Sequence, residues 1–337
     1  MGTRPKLGVM QHRTLGRTGR DVSVIGLGTW QLGADWGEVS EADARAVLDA
    51  SAEAGVTFFD TADVYGDGRS ESLIGAWRRD NPDAPLTVAT KMGRRVEQIP
   101  ANYVLENFRD WTDRSRRNLG VDTLDLVQLH CPPTAVYSDD AVFDALDTLV
   151  AEQAIAAYGV SVETTAEALA AIARPSVATV QIILNAFRLK PLDEVLPAAI
   201  EAGVGIIARV PLASGLLSGR YSHDTEFAAN DHRSFNRHGE AFDQGETFSG
   251  VDYDQGVEAA QEFSALAASA GLAPATAALA WVSQLPGVSS VIPGARNTAQ
   301  AESNAAAGSV PELGEAFTAA VRDLYDRRFR ADVHPRW

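Results

Sequence analysis

The chain of 337 residues holds one cysteine, Cys131, so neither an internal disulfide nor a paired-cysteine metal knuckle can be written. Positive charge is scarce: 29 Lys and Arg face 45 Asp and Glu, and the net charge of −16 repels nucleic-acid phosphates and the anionic face of a membrane. No run of eighteen apolar residues occurs, and the first ten residues lack the apolar stretch of a secretory signal. These absences predict a cytoplasmic protein in a reducing compartment, with neither nucleic acid nor membrane as partner. Linkers are missing too, since no Gly/Ser-rich or Pro-rich tract marks a domain boundary. Apolar residues are plentiful at 45%, enough for a large core.

Short runs rich in Val, Ile, Leu and Thr alternate with longer segments of helical period, the pattern of a parallel sheet with crossover helices. Eight runs stand out, at about 22–28, 56–60, 86–90, 124–130, 157–161, 178–184, 204–209 and 288–292. Ser40 followed by Asp43 predicts a helix start, with Gly55 as its stop. Val104, Phe108, Trp111, Ser115 and Leu119 predict an apolar helical stripe that ends at Gly120. Eight strand–helix units predict an α/β fold, a (β/α)8 TIM barrel, as a single domain over 1–337 with an N-terminal extension and a core at about 13–328. An open dinucleotide-binding sheet is disfavoured, because Gly26 and Gly28 are followed by Thr29, Trp30 and Gln31 with no third glycine in place. The stretch 219–253, after the seventh strand, is polar and aperiodic and reads as a long loop, either a lid or decoration.

In such a barrel the chemistry sits where the strands end. Strand two ends at Asp60, with Tyr65 in the loop that follows; strand three runs into Lys91; strand four ends at His130. Each alone has an ordinary structural role open to it, as turn cap, loop packing, snorkelling cation or core histidine. Together they suit proton transfer to a carbonyl oxygen. A phenol with an ordinary pKa of about 10 needs a neighbouring ammonium to bring it toward neutrality, Lys91 supplies one, and Asp60 keeps that ammonium charged. An imidazole beside the phenol can orient the carbonyl by hydrogen bonding.

With GLGTW at 26–30, DTADVYG at 60–66, ATK at 89–91, VQLH at 127–130, GVS at 159–161, PLASGLLSGR at 211–220 and IPGAR followed by Gln300 and Asn304, the chain resembles the aldo-keto reductase family from about 13 to 328. The resemblance implies NADPH or NADP+ as cofactor, a small-molecule carbonyl substrate and no metal. It puts Tyr65 as general acid, Lys91 and Asp60 as the pair that tunes it, and His130 on the substrate carbonyl. It further implies that Ser161 and Gln181 hold the nicotinamide carboxamide, and that Gly28, Thr29 and Trp30 line the cofactor and substrate cavity. The diphosphate is expected along Pro211, Leu212, Ser214, Gly215, Leu217 and Arg220, and the adenosine end at Gly294, Arg296, Gln300 and Asn304. Arg296 is the first candidate for a 2′-phosphate contact and Arg233 the second, which tilts the expectation to NADPH over NADH. Asn297 and Gln300 also read as a helix cap and its partner three residues on.

Two positions depart from the pattern. Val162 stands where many relatives have an asparagine that holds the carboxamide. Arg209 stands where many have an aromatic that stacks on the nicotinamide, and its charge is expected to weaken the oxidised cofactor and bias the chain toward reduction. Other readings of the same residues are a Schiff base on Lys91, a cofactor-binding redox sensor with little turnover, and a metal hydrolase. The last is weakest: His223, His232 and His238 lie 9 and 6 residues apart, match no ligand spacing and read as surface residues. Trp30, Trp36 and His130, with residues of the long loop, are expected to form an aromatic mouth for the substrate.

Overall fold

A computed structural model describes residues 9–33, 39–229 and 231–337; Trp36 lies outside them. The chain opens with an antiparallel hairpin, β1 (His12–Thr14) and β2 (Asp21–Ser23), with Arg13 opposite Val22. Eight strands follow: β3 (Leu27–Gly28), β4 (Phe58–Asp60), β5 (Thr87–Met92), β6 (Leu126–His130), β7 (Tyr158–Ser161), β8 (Val177–Ile183), β9 (Gly205–Arg209) and β10 (Val288–Val291). Each pairs in parallel with the next, and single bridges from Ile25 to Val291 and from Gly28 to Gly294 close the ring. The fold is a (β/α)8 barrel.

Helices α1 (Glu41–Glu53), α2 (Arg69–Asp80), α3 (Leu105–Leu119), α4 (Asp140–Ala151), α5 (Thr165–Ile172) and α6 (Lys190–Ala202) follow β3 to β8 in turn. Between β9 and β10 lie α7 (His232–Phe235), α8 (Tyr253–Ser269) and α9 (Pro274–Gln284), and after β10 come α10 (Thr298–Ala306) and α11 (Gly314–Arg328). Local signals set several ends. The Ser40 hydroxyl accepts the Asp43 N–H at 3.1 Å to start α1, and Gly120 adopts the left-handed conformation that stops α3. Val104, the first member of the expected stripe, is instead the extended residue before α3 and is exposed. No single described helix is long and apolar enough to cross a membrane.

The run expected as one strand at 22–28 is two elements. Ser23 ends the hairpin by donating its hydroxyl to the Ile25 carbonyl (2.6 Å), and the barrel strand begins only at Leu27. The hairpin is the barrel floor: Leu15 and Val22 are fully buried with Phe58, Ala89, Leu126, Ile207 and Ile292 inside the ring. Arg13 donates to the Val288 carbonyl (2.7 Å) and Arg17 to those of Pro175 and Ala202 (both 2.6 Å), so two guanidinium groups satisfy carbonyls at the entry ends of the strands and in the helix–strand turns. Gly16 fits where nothing larger would, since a Cβ there would come within 2.2 Å of the Ala178 carbonyl oxygen.

Because the floor and the mouth are opposite ends of one barrel, Leu15→Ala is expected to lower unfolding free energy by about 2–5 kcal/mol while leaving ligand affinity at the mouth within twofold. Denaturant unfolding and a ligand titration on the same sample measure both, and a loss below 1 kcal/mol would show that the floor does not brace the barrel.

Candidate active site

The parallel register brings the strand-end residues to one rim. Gly28 stands opposite Asp60, Lys91 opposite Gln128, His130 opposite Ser161, Ser161 opposite Gln181, and Ile183 opposite Arg209. Six of them, Gly28, Asp60, His130, Ser161, Gln181 and Arg209, edge a cavity of about 1100 Å³. Its lining holds Gly28, Thr29, Trp30, Asp60, Tyr65, His130, Ser161, Gln181, Arg209, Pro211, Leu212, Ser214, Gly215, Arg220, Gly294, Arg296, Gln300 and Asn304. Two residues expected there do not line it: Lys91, which lies behind Asp60 and Tyr65, and Leu217. For Leu217 the reason is packing. It is fully buried in the hydrophobic core, because an apolar side chain in this turn gains more from packing than from facing a polar groove.

Lys91, 1% exposed, is the centre of the polar arrangement. Its ammonium has three N–H bonds and three acceptors: the Asp60 carboxylate, the Thr61 carbonyl (3.0 Å) and the Tyr65 hydroxyl (3.4 Å). The other Asp60 oxygen accepts from the side-chain amides of Gln128 (3.1 Å) and Gln181 (2.7 Å). Burial alone would lower the Lys91 pKa, but Asp60 and Tyr65 more than offset it and hold the ammonium above its ordinary value. For Tyr65 the balance runs against the sequence expectation: burial pushes the phenol up, and the opposing pull of Lys91 recovers only part of it. Tyr65 is therefore a phenol, fully protonated near neutrality. His130 meets Tyr65 edge to face at 6.0 Å, and burial, with Arg94, Lys91 and Arg209 nearby, holds its imidazole well below the usual histidine range. The neutral ring has a buried Nδ1 without a hydrogen-bond partner.

Arg209 is not the bare cation that was expected. It pairs with Glu246 and with Glu163 (3.1 Å) and donates to the Val162 carbonyl (2.9 Å). Two carboxylates cancel the charge that was to repel an oxidised ring, so that expectation loses its basis. Val162 itself is buried and offers the site only its backbone. Arg94 joins the same group, with Nε on the His130 carbonyl (3.1 Å) and Nη2 at 3.7 Å from Glu163.

A match to the family model described as the Aldo/keto reductase family spans residues 24–326. The chain belongs to this family. It is 32% identical over 311 residues to an uncharacterised oxidoreductase of Mycobacterium tuberculosis, covering 89% of this chain and 90% of that one. Among solved structures, it resembles a glycerol dehydrogenase of Gluconobacter oxydans (TM-score 0.77, 26% identity, 96% and 97% of the two chains). It also resembles an aldo/keto reductase of Klebsiella pneumoniae in complex with NADP and acetate (TM-score 0.69, 25% identity, 94% and 96%).

This aldo-keto reductase carries site residues that the sequence reading did not pick out. Arg94 and Glu163 each lie two residues past a strand end, so position alone offered a signal for them. Glu246, Phe242 and His232 come from 219–253, which is no plain loop: it holds α7 and two short turns, Gln244–Glu246 and Phe248–Gly250. His232, expected on the surface, is buried and stacks on Trp30 at 5.6 Å, because the segment folds over the mouth. Trp30 also lies near-parallel to Tyr65 (6.1 Å) and meets Phe242 on edge (6.1 Å), so an aromatic mouth forms from Trp30, His232 and Phe242. His223 is exposed and pairs with Asp254, and no group of metal-ligating side chains occurs among the described residues.

One carboxylate in the loop after β4 is costly. Asp63 is 0% exposed and neither oxygen has a hydrogen-bond partner; burial, with Glu71 close by, pushes its carboxyl up to about 7. The native chain thus holds this proton more tightly than the unfolded chain, whose aspartate titrates at about 4. Stability must fall as pH rises from about 4 to about 7, by on the order of 4 kcal/mol. Asp63→Asn, which has no proton to lose, is expected to match the native chain near pH 4.5 and exceed it in stability at pH 8. Denaturant midpoints at the two pH values measure this, and equal midpoints at pH 8 would count against it.

Proposed function

We propose that the chain is an NADPH-dependent reductase that converts the carbonyl of aldehydes, ketones or sugars to an alcohol, with Tyr65 as the proton donor. The observation that carries this reading is the saturated Lys91 ammonium beside a protonated phenol. With three N–H bonds engaged and Asp60 in contact, Lys91 has no lone pair to attack a carbonyl, which argues against a Schiff base. It can instead stabilise negative charge as it develops on the Tyr65 oxygen, so the phenol can release its proton without first being ionised.

The residues present fit a nicotinamide dinucleotide. Gln181 spends both amide N–H groups on Asp60 and Gln128, leaving its carbonyl oxygen to accept from a carboxamide NH2. The Ser161 hydroxyl, which donates to the Leu129 carbonyl and accepts from the Cys131 N–H, flanks it on the neighbouring strand. Arg220, Arg233 and Arg296 line the same cavity and suit phosphate groups. When bound, the reduced nicotinamide supplies hydride to the carbonyl carbon. The chain supplies the rest: Tyr65 gives its proton to the carbonyl oxygen, the Lys91 ammonium, kept charged by Asp60, stabilises the phenolate that remains, and neutral His130 presents Nε2 to the same oxygen. Trp30, Phe242 and His232 wall off water with apolar surface. A complete proton-transfer set also favours turnover over pure cofactor sensing.

Tyr65→Phe is expected to lower kcat by about 10²–10⁴-fold while the affinity for NADPH stays within threefold. Cofactor oxidation at 340 nm across aldehydes, ketones and reducing sugars, with fluorescence titration of NADPH, measures both. NADPH binding without turnover in the native chain would replace this reading with the sensor.

A further inference from the structure

One cation at the mouth has most of its hydrogen bonds unmade. Arg94, two residues past β5, lines the cavity with His130, and its Nε donates to the His130 backbone carbonyl (3.1 Å). That bond ties the guanidinium to the residue whose imidazole meets Tyr65. After burial, Arg94 is the strongest of the influences that keep His130 neutral, ahead of Lys91 and Arg209. The two terminal nitrogens of Arg94 make no hydrogen bond with any described residue, and Glu163, at 3.7 Å, forms an ion pair too long for one. Arg209 is the contrast. Its terminal nitrogens are committed to Glu246, Glu163 and the Val162 carbonyl, and its side chain is 9% exposed against 26% for Arg94.

We propose that Arg94 receives a carboxylate carried by the substrate, so that the preferred substrates are short oxo acids, aldehydes or ketones with a carboxylate a few carbons from the carbonyl. This inference rests on the reductase reading above and names the substrate class of that site. A guanidinium presents its N–H groups as a planar fork that matches the two oxygens of a carboxylate, and such charge-assisted pairs are roughly twice as strong as hydrogen bonds between neutral groups. A sugar hydroxyl offers the fork one oxygen where a carboxylate offers two. Glu246 lines the same cavity and Glu163 pairs with both arginines, so a phosphate dianion would meet more repulsion there than a monoanion. The chain between the two groups must be short, because Arg94 is held on His130 itself. Trp30 and Phe242 line the cavity and offer those carbons an apolar surface. The carbonyl carbon takes hydride and its oxygen takes the Tyr65 proton, giving a hydroxy acid whose carboxylate is unchanged.

Matched pairs isolate the charge: 4-oxobutanoate, 5-oxopentanoate and 4-oxopentanoate, each against its methyl ester, with NADPH oxidation as the readout. The native chain is expected to favour each acid over its ester by about tenfold or more in kcat/KM, through KM. Arg94→Gln is expected to lower that ratio by about tenfold or more, whatever it does to the ester alone. Arg94→Lys, which keeps the charge without the fork, is expected to fall between the two. Equilibrium binding of butanoate against butanamide, with NADP+ present, gives a second readout that needs no turnover. The native chain is expected to prefer butanoate, and Arg94→Gln to lose that preference. Esters favoured over acids in the native chain, or a ratio that Arg94→Gln leaves unchanged, overturns the inference while the reductase reading stands. A native chain that oxidises NADPH with no acid, ester or simple aldehyde overturns both.

Discussion

The rest of the site depends on a buried ion pair, Lys91 with Asp60. Taking an ammonium and a carboxylate out of water costs several kcal/mol each, and attraction repays that only when the remaining donors and acceptors are also satisfied. Here they are: Lys91 has three acceptors, and Asp60 receives two side-chain amides besides the ammonium. Those partners come from β4, β5, β6, β8 and the loop after β4, so the pair constrains strand register around half the barrel. A slip of one residue in any of those strands would turn a member of the set to the outer face and leave a charge unpaired. The electrostatics of proton transfer and the architecture of the barrel thus rest on the same hydrogen bonds.

A second charge system surrounds the first without disturbing its sum. Arg94 and Arg209 face Glu163 and Glu246, two positive groups against two negative ones. The balance matters because any surplus of positive charge beside Tyr65 would favour phenolate, and a surplus of negative charge would hold the phenol's proton. Glu246 belongs to the segment after β9, so that segment is part of the electrostatic environment of the reacting centre as well as its cover.

The sequence shows the strand ends plainly because residue type and position agree there: an aspartate, a lysine and a histidine each close an apolar run that has no structural use for a charge. Asp60, Lys91 and His130 could be read for that reason. Glu246 and His232 could not, since their roles arise from a chain reversal that brings residues 231–246 over strands some two hundred residues earlier. The split of 22–28 escaped because alternation cannot distinguish one strand from two joined by a Ser23 hydroxyl bond. Leu217 shows the opposite error: it sits in a run of phosphate-loop character, yet a leucine in that turn faces the core. The pKa of Tyr65 went the other way from expectation because pairing with an ammonium is visible in a motif, whereas the depth of burial that opposes it is not.

Polarity misled the reading of 219–253 for a physical reason. Asp, Asn, Ser and Thr are counted against regular structure, yet the same side chains build turns by bonding to nearby backbone. Asn236 accepts from the Ala241 and Phe242 N–H groups (2.8 and 2.9 Å) and donates to Thr247 (3.2 Å), Asp231 starts α7, and Asp243 accepts from Gly245 (2.7 Å) and from the Trp337 indole (3.1 Å). Trp337 in turn stacks against buried Arg188 at 4.2 Å, which donates to the Glu163 carbonyl (2.6 Å). Trp337 thus joins Asp243 of the segment, by way of Arg188, to the backbone of Glu163, whose carboxylate neutralises Arg209. Directed hydrogen bonds and a packed cluster of Tyr221, Phe227, Phe248 and Tyr253 together hold the cavity wall on this side.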